Sequence, residues 1–415
     1  LKNILVVEDS KAFARAVKIK IEKESGYRCI VTHTFAEAKA VLDEGCHDFF
    51  IAVLDLVLPD AQNGEIVDQV TNLKIPVVVL TGGLNDDIRE RILSKNVADY
   101  ILKEGPHSLD YLIGVIRRVD KNQNTNVLVV DDSAVSRKMI CRLMKIQHFN
   151  VFEAQNGKEA LDLLAQHPDI KLVVTDYSMP KMDGFELTSE IRKKYPVDTL
   201  AVIGISAHGN SLLSARFLKK GANDFIVKPF GDEEFFCRVN QAIEMLDHIE
   251  SLKKAASSDY LTGLYNRRYF FDIGETLFKN AKRDNMDITV AMVDIDNFKR
   301  INDQYGHQCG DMLLQHISAI IRNHFRSSDV VCRFGGEEFC VLSTNMEETC
   351  CQDHFERLRS AVENESITYG GENIFATVSV GVMPTLSDSL EGMIQTADQR
   401  LYHAKVKGRN RVIVG

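Results

Sequence analysis

The chain repeats itself, and the repeat limits its fold more than any other feature. The run Ile4-Leu5-Val6-Val7 followed by Glu8-Asp9-Ser10 returns as Val127-Leu128-Val129-Val130 followed by Asp131-Asp132-Ser133. Val53-Leu54-Asp55 with Pro59 returns as Val173-Val174-Thr175-Asp176 with Pro180. The segments ending at Thr81 and Lys103 return as segments ending at Ser206 and Lys228, and all four offsets lie between 121 and 125 residues. Near-constant offsets over four separated segments mean a duplicated unit.

Within each copy, runs of four to six β-branched residues alternate with amphipathic stretches such as Lys158–Ala165. Such runs predict strands buried on both faces of a parallel sheet. Five βα units make a doubly wound α/β domain of about 120 residues. The copies are expected over residues 1–120 and 127–247, joined by a polar linker over 121–126. Ligands of such sheets sit at the carboxyl ends of the strands, where the acids and hydroxyls fall in both copies.

The 415 residues allow two to four domains. At 45% hydrophobic and 26% charged, the chain is not disordered throughout. No apolar run is long enough to span a membrane, and no signal peptide is apparent. The chain starts at Leu1 rather than Met, so a few more natural residues are expected before it. Nine cysteines without a Cys-x-x-Cys pair fit reduced thiols and a cytoplasmic protein. The net charge of −9 is spread evenly and no domain-sized segment is basic, so neither nucleic acid nor a membrane is expected as partner.

From about residue 236 the pattern turns helical, with Ala242, Met245, Ile249, Leu252 and Ala256 at 3-4-3-4 spacing. Two heptads fit a short coiled coil and equally an ordinary helix packed on its own domain. The residues from 258 to 415 read differently. Ile288–Val293, Val330–Phe334, Phe339–Leu342 and Ala376–Val382 are strand-like with helical stretches between, which predicts an α+β domain on an antiparallel sheet. Asp294-Ile295-Asp296 ends one strand and Gly335-Gly336-Glu337-Glu338 turns a hairpin. Carboxylates from two neighbouring strands around one metal would suit nucleotidyl transfer.

Acids clustered at one sheet edge repel unless a cation sits among them, and oxygen ligands suit Mg²⁺. The two copies resemble the receiver domain of two-component response regulators, which is flavodoxin-like. The resemblance implies that Asp55 and Asp176 accept a phosphoryl group from a histidine kinase or phosphotransfer protein. Glu8, Asp9 and Asp55 would hold Mg²⁺ in the first copy, and Asp131, Asp132 and Asp176 in the second. Thr81 and Ser206 would bond the phosphoryl oxygens, Lys103 and Lys228 would meet the developing charge, and Tyr100 and Phe225 occupy the switch-aromatic position. The first copy departs from the pattern, with Glu104 where proline is usual after the lysine.

Asp259–Arg268, Asn302–Asp311 and Ala404–Asn410, with the two acidic motifs, resemble a GGDEF domain in its GGEEF form. This implies a diguanylate cyclase that joins two GTP into cyclic di-GMP with release of two pyrophosphates. Asp294, the carbonyl of Ile295, Glu337 and Glu338 would surround Mg²⁺, or Mn²⁺ in its place. Glu337 would serve either as base for the ribose 3′-hydroxyl or as the group that positions it. Asn302 and Asp311 would read guanine, with His307 close to the ribose. The backbone around Asn297, Phe298 and Lys299, with Lys405 and Arg409, would hold the phosphates, and Lys299 would also neutralise transition-state charge. Arg326 and Asp329 stand at the spacing of the family's inhibitory product site, with Arg357 or Arg359 as a second cation. Because each domain holds one GTP, the active unit is expected to be a homodimer. The competing readings are a catalytically silent cyclic di-GMP sensor or scaffold, and a DNA-binding regulator, for which no recognition-helix segment is present.

Overall fold

A computed structural model describes residues 2–414 apart from 46–47, 84–88, 91, 93, 208–210 and 285. It divides into two units, Leu1–His248 and Ile249–Gly415.

In the first unit, β1 (Asn3–Val7), β2 (Arg28–Thr32), β3 (Phe49–Asp55), β4 (Val77–Thr81) and β5 (Asp99–Leu102) form a parallel sheet in the order β2-β1-β3-β4-β5. The second copy repeats it with β6 (Asn126–Val130), β7 (Asn150–Ala154), β8 (Ile170–Asp176), β9 (Ala201–Ser206) and β10 (Asp224–Val227), in the equivalent order β7-β6-β8-β9-β10. Helices α1 (Lys11–Ser25), α2 (Phe35–Asp43), α3 (Glu65–Asn72) and α4 (Pro106–Asn122) belong to the first sheet. Helices α5 (Ala134–Ile146), α6 (Gly157–Gln166), α7 (Gly184–Lys194) and α8 (Ser211–Lys219) belong to the second.

The β-branched runs do what their pattern predicts. Val6, Val53 and Val78 pack on one face with Leu112 and Ile116, while Leu5, Leu54 and Val79 pack on the other with Ile66 and Val70. Burial on both faces fixes each strand's register, and so places the acids that follow β1, β3 and their counterparts at one sheet edge. Ser10 caps α1 by accepting from the Phe13 amide, and Ser133 caps α5 by accepting from the Ser136 amide. The acid pair after β1 or β6 is thus pinned between a buried strand and a capped helix.

The next helix, α9 (Asp232–Ser257), runs unbroken for 26 residues. Phe235, Val239, Ala242, Ile243 and Leu246 lie in the second copy's core, whereas Met245 is 55% and Leu252 70% exposed. The helix is therefore an ordinary packed helix in its first half, and only its second half leaves an apolar stripe uncovered. The unit boundary falls inside it, ahead of the start at residue 258 expected from sequence.

The second unit contains β11 (Tyr265–Asn266), α10 (Arg267–Asp284), β12 (Ile288–Ile295), α11 (Phe298–Tyr305), α12 (His307–His324), β13 (Val330–Gly335), β14 (Glu338–Thr344) and α13 (Glu348–Asn364). It continues with β15 (Ser366–Tyr369), β16 (Glu372–Phe375), β17 (Val378–Met383), α14 (Leu390–Val406) and β18 (Val412–Val414). The main sheet runs β11-β13-β14-β12-β17-β18. Its four central strands are antiparallel, and parallel pairings of β11 with β13 and β18 with β17 make the whole sheet mixed. Helices cover both faces, with α12 and α13 packing over one and α10 and α14 over the other. Among the described residues no helix is long and apolar enough to cross a membrane.

Candidate functional site

In the second unit the site begins at the end of β12. Asp294 stands opposite Glu338 in the β12–β14 register, and the Ile295 amide donates to the Glu337 carbonyl at 3.3 Å. The Asp294 side chain is buried, and Lys405 Nζ on the last turn of α14 lies 2.8 Å from its Oδ2. Burial pushes the Asp294 carboxyl up to about 6, Lys405 opposes the shift, and Glu337 and Glu338 add to it. A buried acid facing two others and one ammonium is a donor set of hard oxygens with excess negative charge, which fits a divalent cation. The three carboxylates do not close to within 4.8 Å of one another; among the described residues only Glu8, Asp9 and Asp55 do so.

Asn297, at φ 57°, turns the chain from the strand end into α11 and offers no side-chain cap. Phe298 and Lys299 therefore begin a helix whose first amides face an uncapped end, a favourable place for phosphate. Asn302 on α11 and Asp311 on α12 flank the Gly306 turn between the two helices, and His307 opens α12 as an exposed residue. The Asn302 Oδ1 atom is buried without a hydrogen-bond partner. Gly310 is what lets α12 come so close, since a Cβ there would lie 1.9 Å from that oxygen. Gly310→Ala should therefore push Asn302 aside. We expect the KM for GTP to rise about tenfold or more, with only a modest loss in melting temperature, since crowding against Asn302 and Phe298 is offset in part by alanine suiting a helix better than glycine. Steady-state kinetics beside a thermal melt checks both.

Arg326 and Asp329 form a tight turn: the Arg326 amide donates to Asp329 Oδ2 at 2.9 Å. Asp329 is buried and also accepts from the Ser343 hydroxyl at 2.8 Å, whereas Arg326 is exposed. Of the two candidate second cations, Arg359 is engaged by Glu356, Glu363 and Asn410. Arg357 approaches His354 Nδ1 at 3.5 Å. Burial first, then His324 and Arg357, push His354 down to about 4, and Asp329 and Arg326 also act on it. Arg357 and Arg326 thus both act on His354, whereas Arg359 is committed to its own carboxylate and amide partners.

Arg333 was not singled out by sequence. Its Nε donates to the Gly336 carbonyl at 2.8 Å and its Nη1 to Asp259 at 3.1 Å. It braces the Gly335–Glu338 turn against the start of the domain. The signal available was an arginine two residues ahead of the turn on an outward strand position.

In the first unit, Lys103 Nζ lies 2.6 Å from Asp55 and 2.8 Å from Glu8. Burial works against the Lys103 charge, but its bonds to Asp55 and Glu8 outweigh burial and leave its pKa raised. Glu8 is fully buried and its pKa is raised by burial, with Asp55 adding and Lys103 opposing. Thr81 donates to the Gly83 carbonyl at 2.8 Å at the end of β4. In the second copy, Lys228 Nζ lies 2.7 Å from Asp176 and 3.0 Å from Asp131, and Ser136 also binds Asp131. Burial raises the Asp176 pKa, Lys228 opposes, and Asp131 adds. Asp132 is exposed and Ser206 is buried at the end of β9. The two aromatic positions differ. Phe225 is buried against Phe217, with ring centroids 5.3 Å apart. The Tyr100 hydroxyl instead donates to Glu233 at 2.5 Å, on the first turn of α9, and Arg89 also pairs with Glu233.

Residues 4–113 and 127–240 match the response regulator receiver domain, and residues 256–411 match the diguanylate cyclase GGDEF domain. A solved structure of a two-component system response regulator/GGDEF domain protein is 40% identical, with all of that chain and 60% of this one covered, at a TM-score of 0.53. The chain belongs to the response-regulator GGDEF family. Response regulator PleD of Caulobacter vibrioides is 28% identical over 99% of this chain and 98% of its own. Diguanylate cyclase DosC of Escherichia coli is 38% identical over 42% of this chain and 39% of its own. The C-terminal domain of this response-regulator GGDEF protein is accordingly a diguanylate cyclase domain, of a class that uses divalent metal ions.

Proposed function

We propose that the protein joins two GTP into cyclic di-GMP and two pyrophosphates, under the control of phosphorylation at Asp55 and Asp176. The observation that carries this reading is the buried Asp294 at the end of β12, opposite the GGEEF hairpin and bonded to Lys405.

Asp294, the Ile295 carbonyl and Glu337 are the residues to hold Mg²⁺. When bound, the ion would lower the pKa of a 3′-hydroxyl and polarise the α-phosphate. The rest falls to the chain itself. Asn302 and Asp311 take the guanine edge, and the unpartnered Asn302 oxygen can accept a guanine N–H. Adenine offers no matching donor there, so selectivity comes from leaving a buried polar group unpaired. The amides at the start of α11, with Lys299, Lys405 and Arg409, bind the triphosphate, and one Lys405 ammonium can serve both Asp294 and a phosphate oxygen. Glu337 directs the 3′-hydroxyl of one GTP at the α-phosphate of the other, which sits in a second copy of the domain. Rate per protomer should therefore fall on dilution, while pyrophosphate and cyclic di-GMP stay at two to one. A dilution series with both products quantified tests this, and a rate per protomer independent of concentration would speak against a two-domain site.

Product feedback at Arg326 and Arg357 belongs to the same proposal. The exposed guanidiniums can bond a guanine edge or a phosphate. Arg326→Ala should relieve noncompetitive inhibition by micromolar cyclic di-GMP with basal activity retained, and Arg357→Ala should do the same. Arg359→Ala should not relieve it. Initial rates against product concentration separate the three.

A further inference from the structure

We propose that Asp296 is a positioning residue for the triphosphate of the nucleotide, acting through the loop Gly408–Asn410. The proposal rests on the reading of Lys405 and Arg409 as phosphate ligands.

Asp296 is only 4% exposed and is bonded on every side. Its Oδ2 accepts from the Thr377 hydroxyl at 2.7 Å and from the Asn410 amide at 3.0 Å. Its Oδ1 accepts from the Ser379 hydroxyl at 2.7 Å, and its own amide donates to the Thr377 carbonyl at 2.9 Å. All three side-chain partners are neutral donors, so the carboxylate serves here as a geometric acceptor.

The loop it holds needs holding. Gly408, Arg409 and Asn410 have successive φ values of 112°, 63° and 46°. Positive φ at two consecutive non-glycine residues is disfavoured and persists only where the surroundings over-determine it. Three anchors do so. The Arg409 amide donates to the Ala404 carbonyl at 3.0 Å and closes α14. The Asn410 side chain donates to Glu363 at 2.7 Å and accepts from Arg359 at 2.7 Å, both on α13. Asp296 supplies the third by taking the Asn410 backbone amide.

Residues two apart at a strand end point the same way. Asp294 meets Lys405 and Asp296 meets Asn410, so one strand end docks the C-terminal end of α14 at two points. The first contact sets the distance from the acid to the lysine. The second sets where Arg409, exposed between them, can reach. Phosphate ligands displaced by about 1 Å lose much of their value, and that is the cost of losing the anchor.

The test compares two probes on the full-length chain with Mg²⁺ by calorimetry: guanosine, which reports base binding, and the α,β-methylene analogue of GTP, which adds the phosphates without turnover. The wild-type chain should prefer the analogue. Asp296→Ala should weaken the analogue about tenfold or more while guanosine stays within about twofold. Asp296→Asn should keep both, because its amide oxygen can take Asn410 and Thr377 and its NH₂ can donate to Ser379. Thr377→Val, which removes one donor and leaves the acid, should cost the analogue about threefold and carries the test if the alanine variant does not fold. Parallel loss of both probes, loss of neither, or equal damage by Asn and Ala would each overturn the anchor role. A wild-type chain without preference for the triphosphate overturns the phosphate reading beneath it, and the proposal with it.

Discussion

Glu337→Gln and Asp294→Asn are each expected to lower cyclic di-GMP production by about a thousandfold or more, a loss of about 4 kcal/mol of transition-state stabilisation. Both substitutions keep shape and hydrogen-bonding capacity, so the fold should survive. Asp294 sits in the middle of the sheet, opposite Glu338 of β14 and Ser379 of β17, a backbone pairing that its side-chain chemistry does not alter. The same site carries a pH dependence. Burial raises the Asp294 pKa to about 6, so the apo site holds a proton up to roughly that pH, and a cation must displace it. Apparent Mg²⁺ affinity should fall as the pH drops below about 6 and level off above it. Metal titrations of GTP turnover at several pH values check this, and an affinity unchanged down to pH 5 would show that Asp294 does not bind the ion.

The second large effect concerns control. Beryllofluoride, which mimics an aspartyl phosphate, should raise cyclase rate and dimer population about tenfold. Asp55→Asn and Asp176→Asn should each blunt the rise, and the double variant should abolish it. From sequence the second copy looks the more complete, since Glu104 breaks the pattern in the first. The geometry gives the first copy no less weight. Its Glu8, Asp9 and Asp55 are the acids that converge, and its Tyr100 is bonded to Glu233 on the helix leading towards the cyclase domain. Tyr100→Phe removes the hydroxyl with its bonds to Glu233 and Arg89, so it should shrink the share of the response that depends on Asp55 and leave the share from Asp176. A double variant that still responds fully to beryllofluoride would show that neither aspartate is the switch.

The repeat was legible because it rests on buried strands. Runs such as Ile4–Val7 and Val127–Val130 must be apolar on both faces, and the acids that follow them must sit at the sheet edge. The C-terminal sheet was legible only at its centre. Strands of two and three residues, Tyr265–Asn266 and Val412–Val414, are too short to carry a period, and they supply the parallel edges. The small hairpin β15–β16 went unread although Gly370-Gly371 sits between alternating residues, a pairing signal easily lost next to a long helix. Contacts that join distant segments left no local trace. Nothing around Tyr100 points to Glu233, nothing around Asp296 points to Asn410, and Arg357 and Arg359 look alike until their partners are seen. The 3-4-3-4 stripe left two readings open because Ala242 meets the same helical period inside a core as in a coiled coil.

The central claim is that one chain couples receiver state to cyclase chemistry. The most direct measurement is cyclic di-GMP formed from GTP and Mg²⁺ by the full-length protein, before and after beryllofluoride. The account predicts product in both states and a higher rate in the second. No product in either state, from a protein that still binds cyclic di-GMP, would contradict it and identify a silent sensor.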